Sequence, residues 1–521
     1  MPKLVLSRGS GGDVQWAEEM TGGVPFILAA FGHLRVADVI VLAIYLAGIV
    51  GLGCWLMRRS KTAEGFTTGN RSMAGWVVGF SIFGTYVSSI SFLANPGKSY
   101  LGNWNPFVFG LGIPLAAWIA TKWFVPFYRR GGSVSAFAHL EDRFGLWARW
   151  YAGICFVLMQ LSRMGSILFL VALAVGQLTG WSTAGIIVGV GLLVVAYTML
   201  GGIEAVIWTD VVQSIVLTVG ALIALWILLS GSPEVAVHLR EHASEKMSLG
   251  SLGASLTEST FWVVLIYGFF MNLNNFGIDQ TYVQRYLAAK SDESAKRSVW
   301  LGGLMYLPVS ALLFLVGTAL FSYYQVHAHE MSAELAGRLA EGQDGDKVFP
   351  FFIATQMPAG ITGLLVAAIL AAAMSSVDSS LNSSATLVLE DFVRRTGMGM
   401  SKSQKGELRV LHLATAIFGL LGIGVALAMM GVSSVLDTWW TLAGIFAGGV
   451  LGLFLLGMLV ARVNTRAAGI AAGCGVGLIV FLSLDANPLH KFLTVVIGTS
   501  AIVIIGFVLT VVLERGRGES R

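Results

Sequence analysis

Residues 75–97 read GWVVGFSIFGTYVSSISFLANPG, an apolar stretch long enough to cross a lipid bilayer. The centre of this stretch is crowded with small and hydroxyl-bearing residues, namely Gly84, Thr85, Ser88, Ser89 and Ser91. A membrane helix that unwinds at mid-membrane exposes carbonyl groups and helix ends, which can bind ions and polar solutes. The sequence therefore predicts a broken membrane helix here.

A second apolar stretch is interrupted in the same way. Residues 269–282 read FFMNLNNFGIDQTY, with three asparagines, a glycine and an aspartate near the centre of the span. The two interrupted stretches are the second and seventh of the predicted spans. Because they are five spans apart, an odd number, they cross the membrane in opposite directions. This is the arrangement of two inverted five-helix repeats, spans 2–6 and 7–11. The alternative is two ordinary helices whose polar residues lie at packed interfaces.

Composition places the whole chain in a membrane. Of its 521 residues 55% are hydrophobic and only 12% are charged, and the mean hydropathy is +0.76. A soluble domain carries about twice that share of charge. We find no basic stripe interleaved with aromatic residues, so nucleic acid is not an expected partner. No phosphate-binding loop of the GxxxxGK[ST] type occurs, which argues against direct use of ATP.

Thirteen apolar stretches are long enough to span a bilayer. They lie at about 36–57, 73–94, 107–128, 147–178, 182–200, 205–230, 258–284, 298–325, 360–389, 407–431, 434–459, 466–484 and 488–513. The predicted fold is thus an all-α polytopic membrane protein with 13 transmembrane helices and a single membrane domain, residues 36–513. Residues 1–35 are expected to form an extracytoplasmic tail, and residues 514–521 a cytoplasmic one.

Basic residues set the predicted orientation, because cytoplasmic loops are enriched in Lys and Arg. The predicted inner segments contain 22 of them: Arg58, Arg59, Lys61, Arg71, Arg129, Arg130, Arg143, Arg149, Arg285, Lys290, Lys296, Arg297, Arg394, Arg395, Lys402, Lys405, Arg409, Arg462, Arg466, Arg515, Arg517 and Arg521. The predicted outer loops contain six: Lys98, Arg240, Lys246, Arg338, Lys347 and Lys491. We therefore expect a multi-pass protein of the cell (inner or plasma) membrane, with its N-terminus outside and its C-terminus in the cytoplasm.

One basic residue lies in the middle of a span. Arg163, within FVLMQLSRMGSILFL, is near the centre of the fourth span and cannot easily reach water. A charge at that depth costs at least ~3 kcal/mol unless it meets a partner or a water-filled cavity. Two interpretations are open: a structural ion pair with a carboxylate in the membrane, or a binding point for the carboxylate of an anionic substrate.

The ninth span carries the densest polar cluster, AAAMSSVDSSLNSSATLVLEDF. Ser375, Asp378, Ser379 and Asn382 are spaced i, i+3, i+4 and i+7, so they share one helix face. Hydroxyls, carbonyls and one carboxylate suit a hard monovalent cation. A catalytic triad is a poor alternative because no histidine lies at comparable depth in a span. Asp210, at the start of the sixth span, is a second acid within the membrane.

These residues resemble the sodium:solute symporter family over about residues 36–513. Four stretches carry the resemblance: KTAEGFTTGNRSMAGW at 61–76, GGIEAVIWTDVVQ at 201–213, NNFGIDQTYVQRYLAAK at 274–290 and SSVDSSLNSSATLVLEDF at 375–392. The resemblance implies a leucine-transporter-like fold, sodium ions as the coupling ions, and alternating access. It implies a transporter rather than an enzyme.

Carried over by position, the resemblance implies two sodium sites. The common site would use the backbone carbonyls of Gly84, Val87 and Ala372 and the hydroxyls of Ser375 and Ser376. The second site, found in part of the family, would use Asp210 with Ser375, Ser379 and position 378. Many members carry Ser or Thr at position 378, where this chain has Asp378. The extra carboxylate could strengthen cation binding, carry a proton or pair internally.

Within the family, the chain resembles the sialic-acid carriers more than the sugar carriers. These carriers use an arginine at the position of Arg163 to bind the substrate carboxylate, and polar contacts at the positions of Ser88, Ser91 and Asn275. This chain departs from them at Tyr86, where a smaller hydroxyl is expected, and at Gly110, where a glutamine that faces the substrate is expected. The implied function is sodium-coupled symport of a small organic anion such as a sialic acid. A neutral-hexose symporter is the alternative, and a transporter-like sensor is a weaker one.

Overall fold

The computed structural model describes residues 34–57, 60–397, 403–431, 435–460, 463–483 and 488–518. Most of the predicted N-terminal tail and the last three residues lie outside these ranges, as do several of the predicted inner basic residues, such as Arg58 and Arg462. The described residues are almost entirely helical. Within them the β-structure is a single bridge between Met73 and Ala289.

The membrane-crossing helices are labelled α1–α13 in chain order, with a and b for the halves of a broken span. They are α1 (Val36–Leu56), α2a (Gly75–Tyr86), α2b (Ser89–Leu101), α3 (Asn105–Gly131), α4 (Leu146–Thr179), α5 and α6 (together Thr183–Ser230), α7a (Phe261–Ile278), α7b (Gln280–Ala288), α8 (Asp292–Val326), α9 (Ile361–Thr396), α10 (Gln404–Gly431), α11 (Val435–Leu459), α12 (Thr465–Leu482) and α13 (Leu493–Gly518). Short helices join them at Ala63–Thr68, Ala138–Phe144, Pro233–Lys246, Ala333–Ala340 and Gly345–Gln356.

The predicted number of spans is confirmed. Among the described residues, 11 helices are long and apolar enough to cross a membrane, and the bent pair α2a and α2b makes a twelfth span. The helix Thr183–Ser230 has 48 residues, which at about 1.5 Å per residue is more than twice the thickness of a bilayer core. It bends at Gly202, where the backbone leaves the helical region (φ 58°, ψ −156°). Dividing it there gives α5 and α6, and thirteen spans among the described residues.

Gly202 is a position at which glycine is required. Its φ is positive, and a Cβ atom would lie 2.8 Å from the Cα of Phe66 in the neighbouring short helix. The Gly-Gly pair in the segment 201–213 thus allows the close approach at which α5 turns into α6. This bend delivers Asp210 to the interior, two turns further along.

Polar residues at the helix starts explain several of the observed boundaries. The side chains of Ser182, Thr260, Ser291, Ser403 and Asn464 each accept a hydrogen bond from a backbone N–H in the first turn of the helix that follows. Such N-caps satisfy donors that the helix itself leaves unpaired, and each stabilises its helix by about 1 kcal/mol. These caps therefore fix the residues at which the apolar helices begin.

Both predicted helix breaks are present. The axes of α2a and α2b differ by 56°, and the backbone is extended at Val87 and Ser88. Between α7a and α7b the backbone is extended at Asp279, whose side chain caps α7b by accepting from the backbone N–H of Thr281. The β-bridge between Met73 and Ala289 ties the start of α2a to the end of α7b. The two broken spans thus lie next to each other at one end.

α9 is the central helix of the molecule. Of its most apolar 18-residue window, 89% is buried, more than in any other described span. It packs against α1, α4, α6 and α10. The polar cluster of the ninth span therefore faces protein rather than lipid, which is where polar groups inside a membrane have to lie.

Candidate functional site

The break in the second span leaves backbone carbonyls without helical partners. A helix ends with up to four carbonyls that no residue of the helix can pair with, and α2a ends at Tyr86. The carbonyls of Gly84 and Val87, both predicted sodium ligands, belong to this segment. Gly84 is closely surrounded: a Cβ atom there would lie 2.5 Å from the Ser214 hydroxyl and 3.3 Å from that of Ser375. The break of α2 therefore faces α6 and α9 at close range.

A cavity of about 430 Å³ runs from the helix breaks to one end of the bundle. Its lining contains all five residues predicted to contact the substrate, Tyr86, Ser88, Ser91, Arg163 and Asn275. Asn274, Asp279 and Tyr282 from the break of the seventh span complete its inner part. The volume is within the usual range for small-molecule sites, about 300–1,000 Å³. The structure thus brings residues from spans 2, 4 and 7 together around one space.

Arg163 points towards this cavity without an ion-pair partner among the residues that the structure describes. One of its terminal nitrogens donates a 2.8 Å hydrogen bond to the carbonyl of Thr85, at the end of α2a. A guanidinium has five N–H donors. The carbonyl orients the side chain, and most of its donors remain directed towards the cavity.

The two departures from the sialic-acid carriers are explained by one aromatic cluster. The rings of Tyr86 and Tyr306 are in edge contact at 4.6 Å, and Tyr86 also stacks on Phe276. A Cβ atom at Gly110 would lie 3.0 Å from the Tyr306 ring. The space that a glutamine side chain would occupy at position 110 is therefore filled by Tyr306. This residue lines the cavity and was not identified from the sequence.

The mouth of the cavity is positively charged. Its lining there includes Lys98 and the loop residues His490, Lys491 and Phe492. Burial lowers the pKa of His490, and the neighbouring positive charge of Lys491 lowers it further, so the imidazole is neutral at pH 7. The charged residues of the whole lining are three cations, Lys98, Arg163 and Lys491, and one anion, Asp279. Basic side chains therefore outnumber acidic ones in the described lining of the cavity.

The predicted common sodium site lies beside the cavity, between α2 and α9. Ser375 and Ser376 are both buried, and the Ser376 hydroxyl donates a 3.3 Å hydrogen bond to the carbonyl of Ala372. The Ser375 hydroxyl makes no hydrogen bond within the described residues. A buried polar atom without a partner is costly, and an oxygen atom in this setting suits a hard cation such as sodium.

Asp210 lies beside the same serine but has a partner that the sequence did not suggest. Its Oδ2 atom forms a 2.7 Å ion pair with the guanidinium of Arg285 and accepts a 2.5 Å hydrogen bond from Ser81. Its Oδ1 atom is buried and has no partner at good hydrogen-bond geometry within the described residues, although the Ser375 hydroxyl lies close enough to interact with the carboxylate. One carboxylate oxygen is thus fixed by protein, and the other faces the predicted second sodium site.

The prediction that placed Arg285 in an inner loop is wrong. The seventh span continues past residue 284 as α7b, all nine residues of which are buried, and Arg285 is 1% exposed. Its guanidinium also donates to the hydroxyl of Ser379, at 2.6 Å. The inner basic residues become 21, against six outside, so the predicted orientation does not depend on this residue.

Asp378 is fully buried one residue away from this network. Its Oδ2 atom accepts a 2.7 Å hydrogen bond from the Tyr197 hydroxyl and lies 3.4 Å from that of Thr209. Its Oδ1 atom lies 3.4 Å from the Ser379 hydroxyl, which Arg285 also contacts. Asp378 contacts Ser379 directly, and Asp210 is joined to Ser379 through Arg285. The four side chains predicted for the second site, of Asp210, Ser375, Asp378 and Ser379, are thus brought together.

Beyond this cluster, α7b closes the bundle. The amide of Gln284 donates to the Thr67 carbonyl at 2.6 Å, to Asn382 at 2.7 Å and to Thr386 at 2.9 Å. These bonds join the seventh span to the ninth on the side opposite the cavity mouth.

Known proteins resemble this chain over most of its length. The family model "Sodium:solute symporter family" matches residues 66–475. A sodium/sialic acid symporter of Aliivibrio fischeri is 33% identical over 92% of this chain and 93% of its own length. One from Proteus mirabilis is 32% identical over 91% and 94%. A solved structure, of a Na⁺-coupled sialic acid symporter in a substrate-bound outward-open state with a novel Na⁺ site, is 31% identical. It superposes with a TM-score of 0.84 over 92% of this chain and 98% of that one. The predicted inverted-repeat fold is confirmed.

Proposed function

Because the chain belongs to the sodium:solute symporter family, and is therefore a sodium-coupled transporter, we propose that its solute is an organic anion of the sialic-acid class. The solute would bind in the cavity between the broken spans, and sodium ions would bind beside it, between α2, α6 and α9. Alternating access would move both across the membrane. Two relatives and a solved structure that resemble the chain over more than nine-tenths of its length are named for sialic acid.

Arg163 is the observation that carries the proposal on the solute. A guanidinium deep in the membrane needs compensation. Among the described residues, Arg163 has a single carbonyl as its hydrogen-bond partner, and the Asp279 carboxylate attracts it without forming an ion pair. A substrate carboxylate would complete its coordination through two parallel N–H bonds, worth about 1.5–3 kcal/mol in net terms. Ser88, Ser91 and Asn275 would contact the polar groups of the rest of the solute, and the rings of Tyr86 and Tyr306 its apolar face.

The proposed common sodium site consists of the carbonyls of Gly84, Val87 and Ala372 with the hydroxyls of Ser375 and Ser376. The unpartnered Ser375 hydroxyl and the ending of α2a support it. The proposed second site consists of Asp210, Ser375, Asp378 and Ser379. Ser375 belongs to both, so the two ions would bind next to each other. Thr85 would link them to the solute, because its carbonyl accepts from Arg163 while its hydroxyl lies 3.2 Å from that of Ser379.

The accessible end of the cavity would be the outer one. Its mouth is formed by the segments around Lys98, Ser259 and Lys491, which the distribution of basic residues assigns to the outside. In this orientation the N-terminus is outside and the C-terminus is in the cytoplasm of a cell whose plasma or inner membrane holds the protein. Residues 36–513 would act as one transport domain. Opening to the inside would then require the contacts of Gln284 with α9 to break.

Ligand binding to purified protein tests the proposal, with sodium and then with potassium as the salt. Sialic acid is expected to bind the native protein in sodium and to bind Arg163→Ala at least about ten-fold more weakly. Arg163→Lys keeps the charge but loses the two-pronged contact, so it should also bind weakly. Lys122→Ala is the matched control, because the Lys122 ammonium lies against Trp118 and Trp123, away from the cavity.

A neutral hexose separates the proposal from its alternative. If the native protein binds the hexose and not sialic acid, and Arg163→Ala binds the hexose equally well, the chain is a sugar symporter and Arg163 has a structural role. If no solute binds more tightly in sodium than in potassium, the sodium coupling of the cavity itself is contradicted.

A further inference from the structure

The cation cluster, formed by Asp210, Asp378, Arg285, Ser375 and Ser379, contains two acids and one arginine. The arginine can compensate one of the two acids, so the cluster has an excess negative charge that can attract an ion. We infer that Arg285 cancels the charge of Asp210 and positions it, while Asp378 supplies the negative charge that attracts the second cation. The inference rests on the proposed function, because it concerns the second of the two proposed sodium sites. It assigns roles to a residue outside that proposed site and to a position at which the chain departs from its family.

Arg285 is a positioning residue by its geometry. Its guanidinium is fully enclosed: Nε donates to Ser81 at 2.7 Å, one terminal nitrogen to the Thr281 carbonyl at 2.8 Å, and the other to Asp210 and Ser379. Every one of these contacts is with protein, and Arg285 binds the Oδ2 atom of Asp210 rather than Oδ1. The other Asp210 oxygen is thereby held towards the site.

The same contact removes the charge of Asp210 as a source of attraction. A guanidinium 2.7 Å from a carboxylate oxygen compensates that carboxylate almost completely. With a serine at position 378, the cluster of side chains would be neutral before a cation binds and would carry +1 afterwards. A buried net charge is disfavoured in a membrane protein. Such a site would bind sodium through hydroxyl and carbonyl dipoles alone.

Asp378 changes the net charge of the cluster. Two carboxylates and one guanidinium give the cluster a charge of −1, which a single sodium ion brings to zero. The position of Asp378 suits the role, because Tyr197 holds one of its oxygens at 2.7 Å while the other lies beside Ser379, a proposed ligand of the second site. Tyr197, Thr209 and Ser379 are neutral, so within the described contacts no other cation cancels Asp378.

Sodium binding to purified protein, measured by isothermal titration calorimetry without solute, tests the inference. The native protein should bind two sodium ions. Asp378→Ser should bind one of them about ten-fold more weakly, because it loses a charge close to the ion. Asp378→Asn, which has nearly the same shape, should show the same loss and serves if the serine variant does not fold. Tyr197→Phe keeps the charge and should change neither affinity by more than about three-fold.

The decisive variant combines two substitutions. Arg285→Gln together with Asp378→Ser leaves Asp210 as the single charge of the cluster and so restores −1. The double variant should bind the second ion more tightly than Asp378→Ser does, by about five-fold or more. If Asp378 had a merely structural role, the second substitution would add damage instead of repairing it.

Three results would overturn the inference. Native affinity for both ions in Asp378→Ser and Asp378→Asn would show that the Asp378 charge does not act on the site, as would be the case if it bound a proton permanently. If the double variant binds the second ion no more tightly than Asp378→Ser does, Arg285 does not contribute to the charge balance of the site. A native protein that binds a single sodium ion would remove the second site. Failure of the native protein to bind any sodium would instead contradict the proposed function.

Discussion

Two arginines lie deep in the membrane part of this molecule, and their surroundings differ in an instructive way. Arg285 is enclosed by protein, paired with Asp210 and bonded through all three of its guanidinium nitrogens. Within the described residues Arg163 has one hydrogen bond, to the carbonyl of Thr85, and it lines the solute cavity. Burial of a charge has to be compensated in both cases. Arg285, whose guanidinium nitrogens are all bonded to protein, holds the surrounding helices in place. Arg163, which has unbonded donors within the described residues, is available to a solute.

The largest effect is expected from a substitution of the enclosed arginine, Arg285. Arg285→Ala leaves the buried Asp210 carboxylate without its cation, and removal of one partner of a buried ion pair costs about 3–5 kcal/mol. We expect a marked loss of thermal stability in detergent and no transport. Arg163→Ala removes one hydrogen bond at the border of the cavity. It should therefore lower the free energy of unfolding by about 1 kcal/mol or less.

Thermal unfolding of both variants, followed in parallel, checks this difference, with Lys122→Ala as a control for loss of a basic side chain from a span. Equal loss of stability in Arg163→Ala and Arg285→Ala would show that both arginines are structural, and the distinction drawn between them would then fail.

The sequence located the solute-facing arginine and missed the structural one, for a physical reason. Arg163 is recognisable because it is surrounded by some fifteen residues of apolar sequence, as in FVLMQLSRMGSILFL. Arg285 follows a helix break, where the polar sequence QTYVQRYLAAK resembles a loop. The segment is in fact a buried half-helix, because its polar side chains bond to other helices rather than to water. The sequence did contain a signal for this half-helix. Gln284 and Arg285 follow Asp279, and aspartate is a residue type that commonly caps the start of a helix.

The helix breaks and the number of spans could be predicted, whereas the contacts between spans could not. Polar residues in an apolar stretch reveal where a membrane helix unwinds, and Gly202 marks where one long helix becomes two spans. The filling of the space beside Gly110 by Tyr306 depends on the packing of α3 against α8. Such pairings over long distances in sequence leave no local pattern.

A smaller effect is expected from the shared ligands of the common sodium site. Ser376→Ala removes a hydroxyl from the proposed site and should weaken sodium binding and solute uptake together, by about five- to ten-fold, because the two ligands share one conformational equilibrium. Ser380→Ala, one turn further along α9, is a matched control, since its hydroxyl bonds to Gln160. Unchanged sodium dependence of uptake in Ser376→Ala would remove this residue from the site.

The smallest expected effect on solute affinity is that of Asp210→Asn. The substitution keeps the shape of the side chain but weakens its hold on Arg285 and on the proposed second ion. We expect the uptake rate to depend less steeply on sodium concentration, while the apparent affinity for the solute changes by no more than about three-fold. A variant with native steepness would leave Asp210 with a structural role alone, as the partner of Arg285.

Uptake into proteoliposomes is the most direct test of the central claim. Purified protein is reconstituted, and radiolabelled sialic acid is supplied outside with an inward sodium gradient, or with potassium in its place. The account predicts accumulation of sialic acid above its external concentration under the sodium gradient, collapse of this accumulation in potassium, and its loss in Arg163→Ala. Equal uptake in sodium and potassium would contradict sodium coupling. Sodium-driven accumulation of a neutral hexose with no movement of sialic acid would contradict the role given to Arg163.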